Sequence, residues 1–265
     1  MIEKIFVRAE REVAFESPDH LQPEGTKRDN SRNPWFNRKL YQLFGARTHG
    51  KTLRVLDIGC SGGGFVRDLL DDGHLAVGLE GSDYSKKMRR AEWALIPDFL
   101  FTADITKDVE VLMGTEVKKE RLSFDVITSW EVIEHITQPD LPKVAENVKR
   151  HLAPGGLWIM SVANYDYFVD GVNLHQTVKP KAWWQETFAA LGLHHQEALI
   201  PFFGGQFIRG NRHETETEFH LILCAQPERA PQPPPLSLAE KFRDRWFGSG
   251  PQRSFAELVT GIPRG

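Results

Sequence analysis

Two short stretches of this sequence combine residue types that chemistry needs. The first is VLDIGCSGGG, residues 55–64, where an apolar run ends at Asp57 and glycines crowd the following turn. Such a turn lets a ligand approach the backbone closely. The diphosphate-binding version needs a glycine at its second motif position, which here, counting from Gly59, is Ser61. The Asp57 carboxylate would repel a diphosphate and attract a cation. Glu80 ends the next apolar run, placed where a carboxylate can accept hydrogen bonds from ribose hydroxyls. The letters Gly59-Cys60-Ser61-Gly62-Gly63 also spell G-x-S-x-G, the elbow of a serine hydrolase. Against that reading, the motif sits on the first evident strand, and no oxyanion-loop signature precedes it.

The second stretch is Glu131-Val132-Ile133-Glu134-His135, followed downstream by His175 in NLHQTVKP. On a helical turn, positions i, i+3 and i+4 share one face, so Glu131, Glu134 and His135 would converge. Two carboxylates and two imidazoles can hold Mg2+, Mn2+ or Zn2+ and leave positions open for a vicinal diol. Without a metal, His135 or His175 can serve as general base for an alcohol nucleophile. A purely structural role is the third reading, and all three stay open.

The surrounding pattern supplies the frame. Apolar runs at Leu53–Ile58, Leu75–Glu80, Phe99–Thr102, Phe124–Ser129 and Leu157–Val162 read as strands. Helical stretches alternate with them: the turn through Leu70, Lys86–Ala94, Leu141–His151 and Lys181–Leu191. Val109–Arg121 is a charged connection of ambiguous type. His195–Ile200 and Glu218–Cys224, joined by GGQFIRGNR, read as an antiparallel pair, the last strand closing the sheet edge. The expected fold is therefore α/β: a doubly wound, mostly parallel seven-stranded sheet with an antiparallel edge strand. Residues 1–50 read as a polar, irregular cap with a helix at 35–45, residues 51–226 as the ligand-binding domain, and 227–265 as a Pro-rich linker with a helix and tail. An open sheet of this kind binds ligands beyond the carboxyl ends of its strands. S-adenosylmethionine, with sulfonium and ammonium groups and no phosphate, suits an acidic pocket there better than NAD does.

Composition narrows the classes. The chain has 265 residues, a net charge of -3 and two cysteines, Cys60 and Cys224. The charge argues against nucleic-acid binding through bulk charge, and the cysteines imply no disulfide framework. No apolar run approaches the length of a membrane span, and MIEKIFVRAEREVAF has no apolar signal core. A cytoplasmic enzyme with no membrane span is the expectation.

Five stretches in order, VLDIGCSGGGF (55–65), VGLEGSD (77–83), TADIT (102–106), FDVITSWEVIEHI (124–136) and LAPGGLWIMSV (152–162), resemble the class I S-adenosylmethionine-dependent methyltransferases. The resemblance covers about residues 53–165, and its specificity lies in the five together. It implies that Asp57, Gly59, Ser61 and Gly62, with neighbouring Cys60, line the methionine part of the cofactor. Glu80, followed by Gly81 and Ser82, would bind the ribose. Asp104 and Ile105 would hold the adenine, and Trp130 and Glu131 would sit beside the transferring methyl. Around Glu131–His135 the chain is also similar to ubiquinone-biosynthesis O-methyltransferases and small-RNA 2'-O-methyltransferases. In those, E-x-x-E-H and a later histidine bind a divalent cation that grips adjacent hydroxyls. The implied metal set is Glu131, Glu134, His135 and His175, with Glu131, His135 and His175 as catalytic candidates. DNSRNPWFNRKL, GLEGSDYSKK and the tryptophans of KAWWQETF resemble methyltransferases of bacterial cell-surface polysaccharide gene clusters.

The expected reaction is methylation of a hydroxyl on a sugar or glycan precursor. The alternatives are a small phenol or quinone precursor, an amine, or a catalytically silent cofactor-binding subunit. Trp184 is expected in the core and Tyr165 near the substrate. Asp29–Asn33 reads either as a lid over the cofactor or as a plain surface loop. Arg8, Arg11, Lys27, Arg28 and Arg32 are candidates for an anionic sugar phosphate or for simple solvation. Phe242, Trp246 and Phe247 give the tail helix enough aromatic surface to pack on the domain or on a second copy in a homodimer.

Overall fold

The computed structural model describes residues 3–46, 50–210 and 215–246. Strand β1 (Lys4–Ala9) is followed by three helices, α1 (Pro18–Leu21), α2 (Glu24–Arg28) and α3 (Pro34–Leu43). The alternating region then runs β2 (Arg54–Ile58), α4 (Gly64–Asp71), β3 (Leu75–Glu80), α5 (Tyr84–Lys87), β4 (Leu100–Thr102), β5 (Val109–Gly114), β6 (Lys119–Arg121) and β7 (Phe124–Trp130). Next come α6 (Leu141–His151), β8 (Leu152–Ala163), the hairpin β9 (Phe168–Val169) and β10 (Val172–Asn173), and α7 (Lys181–Ala190). The last elements are β11 (His194–His195), α8 (Ile200–Phe203), β12 (Glu218–Cys224) and α9 (Leu238–Trp246).

Seven strands form the main sheet in the order β11-β12-β8-β7-β2-β3-β4. The five from β8 to β4 are parallel, and β12 runs antiparallel to β8. Successive residues of a strand face opposite sides, and here both sides are apolar, as a sheet covered on two faces requires. Val55, Val126, Ile159 and Ile222 enter one core with Phe36, Phe65, Leu69 and Phe203 from α3, α4 and α8. Leu56, Ile127, Trp158 and Leu221 enter the other with Val144, Val148, Trp184 and Phe188 from α6 and α7. The doubly wound α/β sheet expected from the sequence is thus present, and Trp184 lies in the core.

Four local expectations are corrected. The N-terminal fifty residues are not irregular: β1 pairs with β5, and β5 with β6, in a separate three-stranded antiparallel sheet. Val109–Arg121, ambiguous by its charges, is that hairpin: Val109 and Val111 are buried, while Lys119, Glu120 and Arg121 are all exposed. The single helix expected at Lys86–Ala94 is broken, because Arg89 and Ala91 take left-handed backbone angles (φ 48° and 47°). His195–Ile200 contributes only the two-residue edge strand β11 before turning helical, so β12 lies one place in from the edge. Phe247 and the tail beyond it lie outside the described residues.

Candidate active site

The strand order reverses at β2, which has β3 on one side and β7 on the other. Open α/β sheets form a crevice at such a point, beyond the carboxyl ends of the strands. A cavity of about 810 Å3 lies there, lined by Ile58 and Gly59 at the end of β2, Glu80 at the end of β3, and Trp130 and Glu131 at the end of β7. Among the described residues its walls carry eight Asp or Glu side chains against three Lys or Arg. The cavity is acidic, as the sequence suggested from Asp57 and Glu80.

At the β2–β3 end, Glu80 is buried and organises the glycine loop. Its carboxylate accepts from the backbone N–H of Ser61 (2.8 Å) and of Ser82 (3.1 Å). Burial pushes Glu80 up to about 7, in spite of the Ser82 and Ser61 donors. Asp57 is also buried and accepts from Thr128 Oγ1 (2.7 Å). Burial raises it to about 7, the Thr128 hydroxyl opposing and the Asp29 and Glu80 charges adding to the rise. Asp104 is held by the N–H and hydroxyl of Thr106 (3.0 and 2.6 Å). Gly59, Ser61, Glu80, Gly81, Ser82, Asp104, Ile105 and Trp130 all line the cavity. Asp57, Cys60 and Gly62 stand behind that surface. Cys60 packs under Gly78, where an added Cβ would come within 2.7 Å of its sulfur.

Gly62 is small for a different reason. Residues 29–30 cross directly over it, so an added Cβ would meet Asp29 O at 2.9 Å and Asn30 Cγ at 2.8 Å. Residues 29–30 thus pack directly against the glycine turn. The Ser61 hydroxyl points at the carbonyls of Asp29 (3.0 Å) and Thr26 (3.3 Å), and Arg90 donates to both Asp29 O (2.6 Å) and Ser61 Oγ (2.9 Å). With its hydroxyl held this way and no histidine partner among the described residues, Ser61 is not an activated nucleophile. The hydrolase reading fails on that geometry. Arg32 pairs with Asp68 (2.5 Å) and Glu92. Asn33 caps α3, accepting from Trp35 N–H (3.1 Å), and donates to the carbonyls of Gln206 and Phe207 (3.1 and 2.9 Å). Residues from Ala14 to Asp29 supply a whole wall of the cavity, including Asp19 and His20. The sequence offered no signal for those two beyond their being adjacent polar residues in a loop-like stretch.

The β7 end is built differently. Glu131 adopts a left-handed backbone (φ 52°), an uncommon state for a non-glycine residue. Ile133–His135 forms a single 3-10 turn rather than the expected α-helical turn. As a result Glu131 does not share a face with its neighbours. Its carboxylate is 2.5 Å from Arg209 Nη2. Glu134, His135 and His175 do come together, their donor atoms all within 4.8 Å of one another. Both imidazoles are oriented by carbonyls: His135 Nδ1 donates to Leu174 O (3.1 Å) and His175 Nδ1 to Tyr165 O (2.5 Å). Burial lowers His135 to about 4 and lowers His175 as well. Both rings are therefore neutral, with the Nε2 lone pair available.

Glu134 is wholly buried behind them. One of its oxygens accepts from Ala163 N–H (3.0 Å) and the other has no partner among the described residues. Burial pushes its carboxyl up to about 8, the Glu131 charge adding to the rise. An orphaned buried oxygen beside two lone-pair nitrogens fits a divalent cation. Tyr165 and Tyr167 flank the His175 ring at centroid distances of 5.3 and 5.6 Å. Sequence reasoning did not single out Arg209; its only signal is the pair of glycine-rich steps around FIRG.

Four of the five basic residues that were candidates for an anionic sugar phosphate or for solvation form ion pairs: Arg8 with Glu110, Arg11 with Glu16, Arg28 with Glu24, and Arg32 as above, while Lys27 Nζ lies 6.0 Å from the Tyr84 ring centroid. Among the described residues, no helix is long and apolar enough to cross a membrane.

Residues 7–211 match a family described as a methyltransferase domain. The chain is similar to the ubiquinone biosynthesis O-methyltransferase of Paraburkholderia phymatum, 33% identical over 137 residues, 48% of this chain and 54% of the relative. It is also similar to the mitochondrial ubiquinone biosynthesis O-methyltransferase of Arabidopsis thaliana, 29% identical over 114 residues, 42% of this chain and 33% of the relative. The matches thus span about a third to a half of these relatives' length. Two solved structures share the fold. The DhpI–SAH complex has a TM-score of 0.50 and 13% identity, covering 82% of this chain and 98% of that one. The CcbJ methyltransferase of Streptomyces caelestis has a TM-score of 0.50 and 13% identity, covering 82% and 99%. With a family match over most of its length and a cavity at the switch point of a doubly wound sheet, the chain belongs to the methyltransferase-domain family.

Proposed function

We propose that this protein is an S-adenosylmethionine-dependent O-methyltransferase acting on one of two adjacent hydroxyls of a small acceptor. The observation that carries this reading is the cluster of Glu134, His135 and His175 at the acceptor end of an acidic cavity. Glu80 would hold the ribose hydroxyls, and Asp104 with Ile105 the adenine. The carboxylates of Asp57 and Glu80 favour the positive charge of the methionine end. When bound, the cofactor supplies a methyl group on a sulfonium, an electrophile that needs an aligned nucleophile.

The protein's part is to hold the acceptor oxygen and take its proton. His135 and His175, neutral and with Nε2 free, would act as base or cation ligands. A divalent cation held by them with Glu134 and Glu131 would lower the pKa of a bound hydroxyl. The segment before α3 would serve as the cap that excludes water.

The acceptor is a sugar or glycan precursor in the first reading, on the likeness to polysaccharide-cluster enzymes. A small phenol or quinone precursor is the second, favoured by the named O-methyltransferase relatives and by Tyr165 and Tyr167 beside His175. The acidic walls disfavour a phosphate near the methyl in either case.

The experiment is labelled-methyl transfer to a panel of dihydroxyphenols and nucleotide sugars, with and without EDTA, beside calorimetry with adenosylhomocysteine. Tight binding of adenosylhomocysteine and EDTA-sensitive labelling of a diol are expected. Binding of NAD in its place would overturn the cofactor assignment. Labelling only of amines would overturn the O-methylation assignment. Cofactor binding without labelling of any panel compound would favour a silent subunit.

A further inference from the structure

The guanidinium of Arg209 serves two carboxylates from distant parts of the chain. Nη1 is 3.1 Å from Asp29 Oδ1 on the cap, and Nη2 is 2.5 Å from Glu131 Oε2 at the end of β7. All three side chains are at least two-thirds buried. The loop carrying Arg209 is itself held, by Asn33 at Gln206 and Phe207 and by His220 Nε2 donating to Arg209 O (2.9 Å). Meanwhile, among the described residues, Glu131 is missing from the donor cluster of Glu134, His135 and His175, and Glu134 keeps one buried oxygen without a partner. The Arg209 charge also reaches Glu134 and His135 electrostatically. A cation bound to one acid, beside a donor set short of one ligand, forms a single arrangement.

We propose that Arg209 is a positioning residue that stands in for the divalent cation until the cation is loaded. This rests on the cation reading of the preceding section. In the cation-free protein, the largely buried Glu131 carboxylate needs a positive partner. Arg209 supplies that positive charge to Glu131. On loading, Glu131 exchanges the guanidinium for the cation, and Arg209 keeps Asp29 alone. The exchange at Glu131 makes and breaks no covalent bond, and any proton on Glu134 leaves to solvent as the cation is loaded. Arginine suits the task because its planar fork can bind two carboxylates at once, which the single ammonium of lysine does less well. Through Asp29, whose carbonyl accepts from Ser61 and Arg90, the same residue links the acceptor end to the cap over the glycine loop.

The test is Mn2+ titration of the full chain by calorimetry and electron paramagnetic resonance. Substitutions of Arg209 and of its partner Asp29 predict shifts of opposite sign. Arg209→Met releases Glu131 and removes a repelling charge, so Mn2+ should bind about tenfold tighter. Asp29→Asn leaves Arg209 to Glu131 alone, so Mn2+ should bind about threefold weaker. Arg209→Lys keeps the charge with a looser grip and should fall between wild type and Arg209→Met, which keeps the test alive if the methionine variant folds poorly. A merely structural arginine would weaken binding in both substitutions of it.

Uptake of Mn2+ by wild type that is lost in His175→Ala, yet is no tighter in Arg209→Met or Arg209→Lys, overturns the stand-in role alone. No uptake by wild type or either Arg209 variant overturns the cation reading and this inference with it.

Discussion

The two ends of the cavity are made in contrasting ways. The end at β2 and β3 comes from one stretch of about thirty residues, and its parts sit where a short turn between neighbouring parallel strands must put them. The end at β7 draws Glu131 and Glu134 from one loop, His175 from a segment after β10, Arg209 from the loop before β12, and Asp29 from the cap. The first is local and rigid, fixed by backbone donors to Glu80. The second depends on long-range docking and on which acid Arg209 holds. Recognition of a cofactor can be written into one motif. Recognition of an acceptor is assembled, and so can change without disturbing the first.

That contrast predicts separable failures. The severest should come from His175→Ala. With the imidazole gone, turnover should fall by about a thousandfold, the range for losing a positioned base or ligand. The calorimetric affinity for adenosylhomocysteine should stay within about twofold. A parallel collapse of cofactor affinity would show that the two ends are one cooperative unit. Glu80→Ala is the reciprocal probe. Loss of charge-assisted hydrogen bonds to the ribose should weaken adenosylhomocysteine binding by about a hundredfold, while Mn2+ uptake by Glu134, His135 and His175 is unchanged.

The sequence reveals these two ends to different depths. The parallel strands, the Gly59–Gly64 turn and Glu80 are legible because each is a local pattern: apolar runs of strand length, a turn that only small residues fit, a carboxylate at a strand end. The E-x-x-E-H stretch is legible as a set of ligand types but not as geometry. The helical turn that would have aligned Glu131 with Glu134 and His135 is replaced by a left-handed residue and one 3-10 turn, and no spacing rule reports a positive φ at a glutamate. Arg209 and Asp29 are 180 residues apart and meet only through the packing of the cap on the Gln206–Arg209 loop. The Lys4–Ala9 strand is hidden for a similar reason: its partner Val109–Gly114 lies a hundred residues on, in a hairpin whose charged return, residues 116–121, masks the strand pattern.

A smaller effect distinguishes charge from contact at the cofactor end. Asp57 lies behind the cavity wall, so any help it gives a cationic ligand acts through its charge. Burial raises Asp57 and Glu80 each to about 7. Both are protonated below that pH, and a cationic ligand favours the ionised form. Affinity for S-adenosylmethionine should therefore be flat above about pH 8 and decline as pH falls through 7, by up to about tenfold per unit for each carboxylate that must ionise. Asp57→Asn should flatten the profile by one proton and leave the dependence belonging to Glu80. An unchanged slope in that variant would mean that Asp57 takes no part in the charge of the site.

The mildest test addresses the outer wall of the acceptor end. Tyr167 is 40% exposed, and its ring lies 5.6 Å from His175, on the strand-like segment leading into the β9–β10 hairpin. An acceptor ring seated against His175 would stack on this face, worth about 0.5–1.5 kcal/mol beyond simple burial. Tyr167→Ala should then raise the acceptor KM by about threefold to tenfold, with kcat and adenosylhomocysteine affinity unaltered. His175 takes its orientation from the carbonyl of Tyr165, not from either tyrosine ring, so removing the Tyr167 ring leaves the imidazole in place. If kcat fell instead of KM rising, the ring would be aligning the histidine rather than the acceptor. The acceptor end would then be a more tightly coupled assembly than its scattered origins suggest.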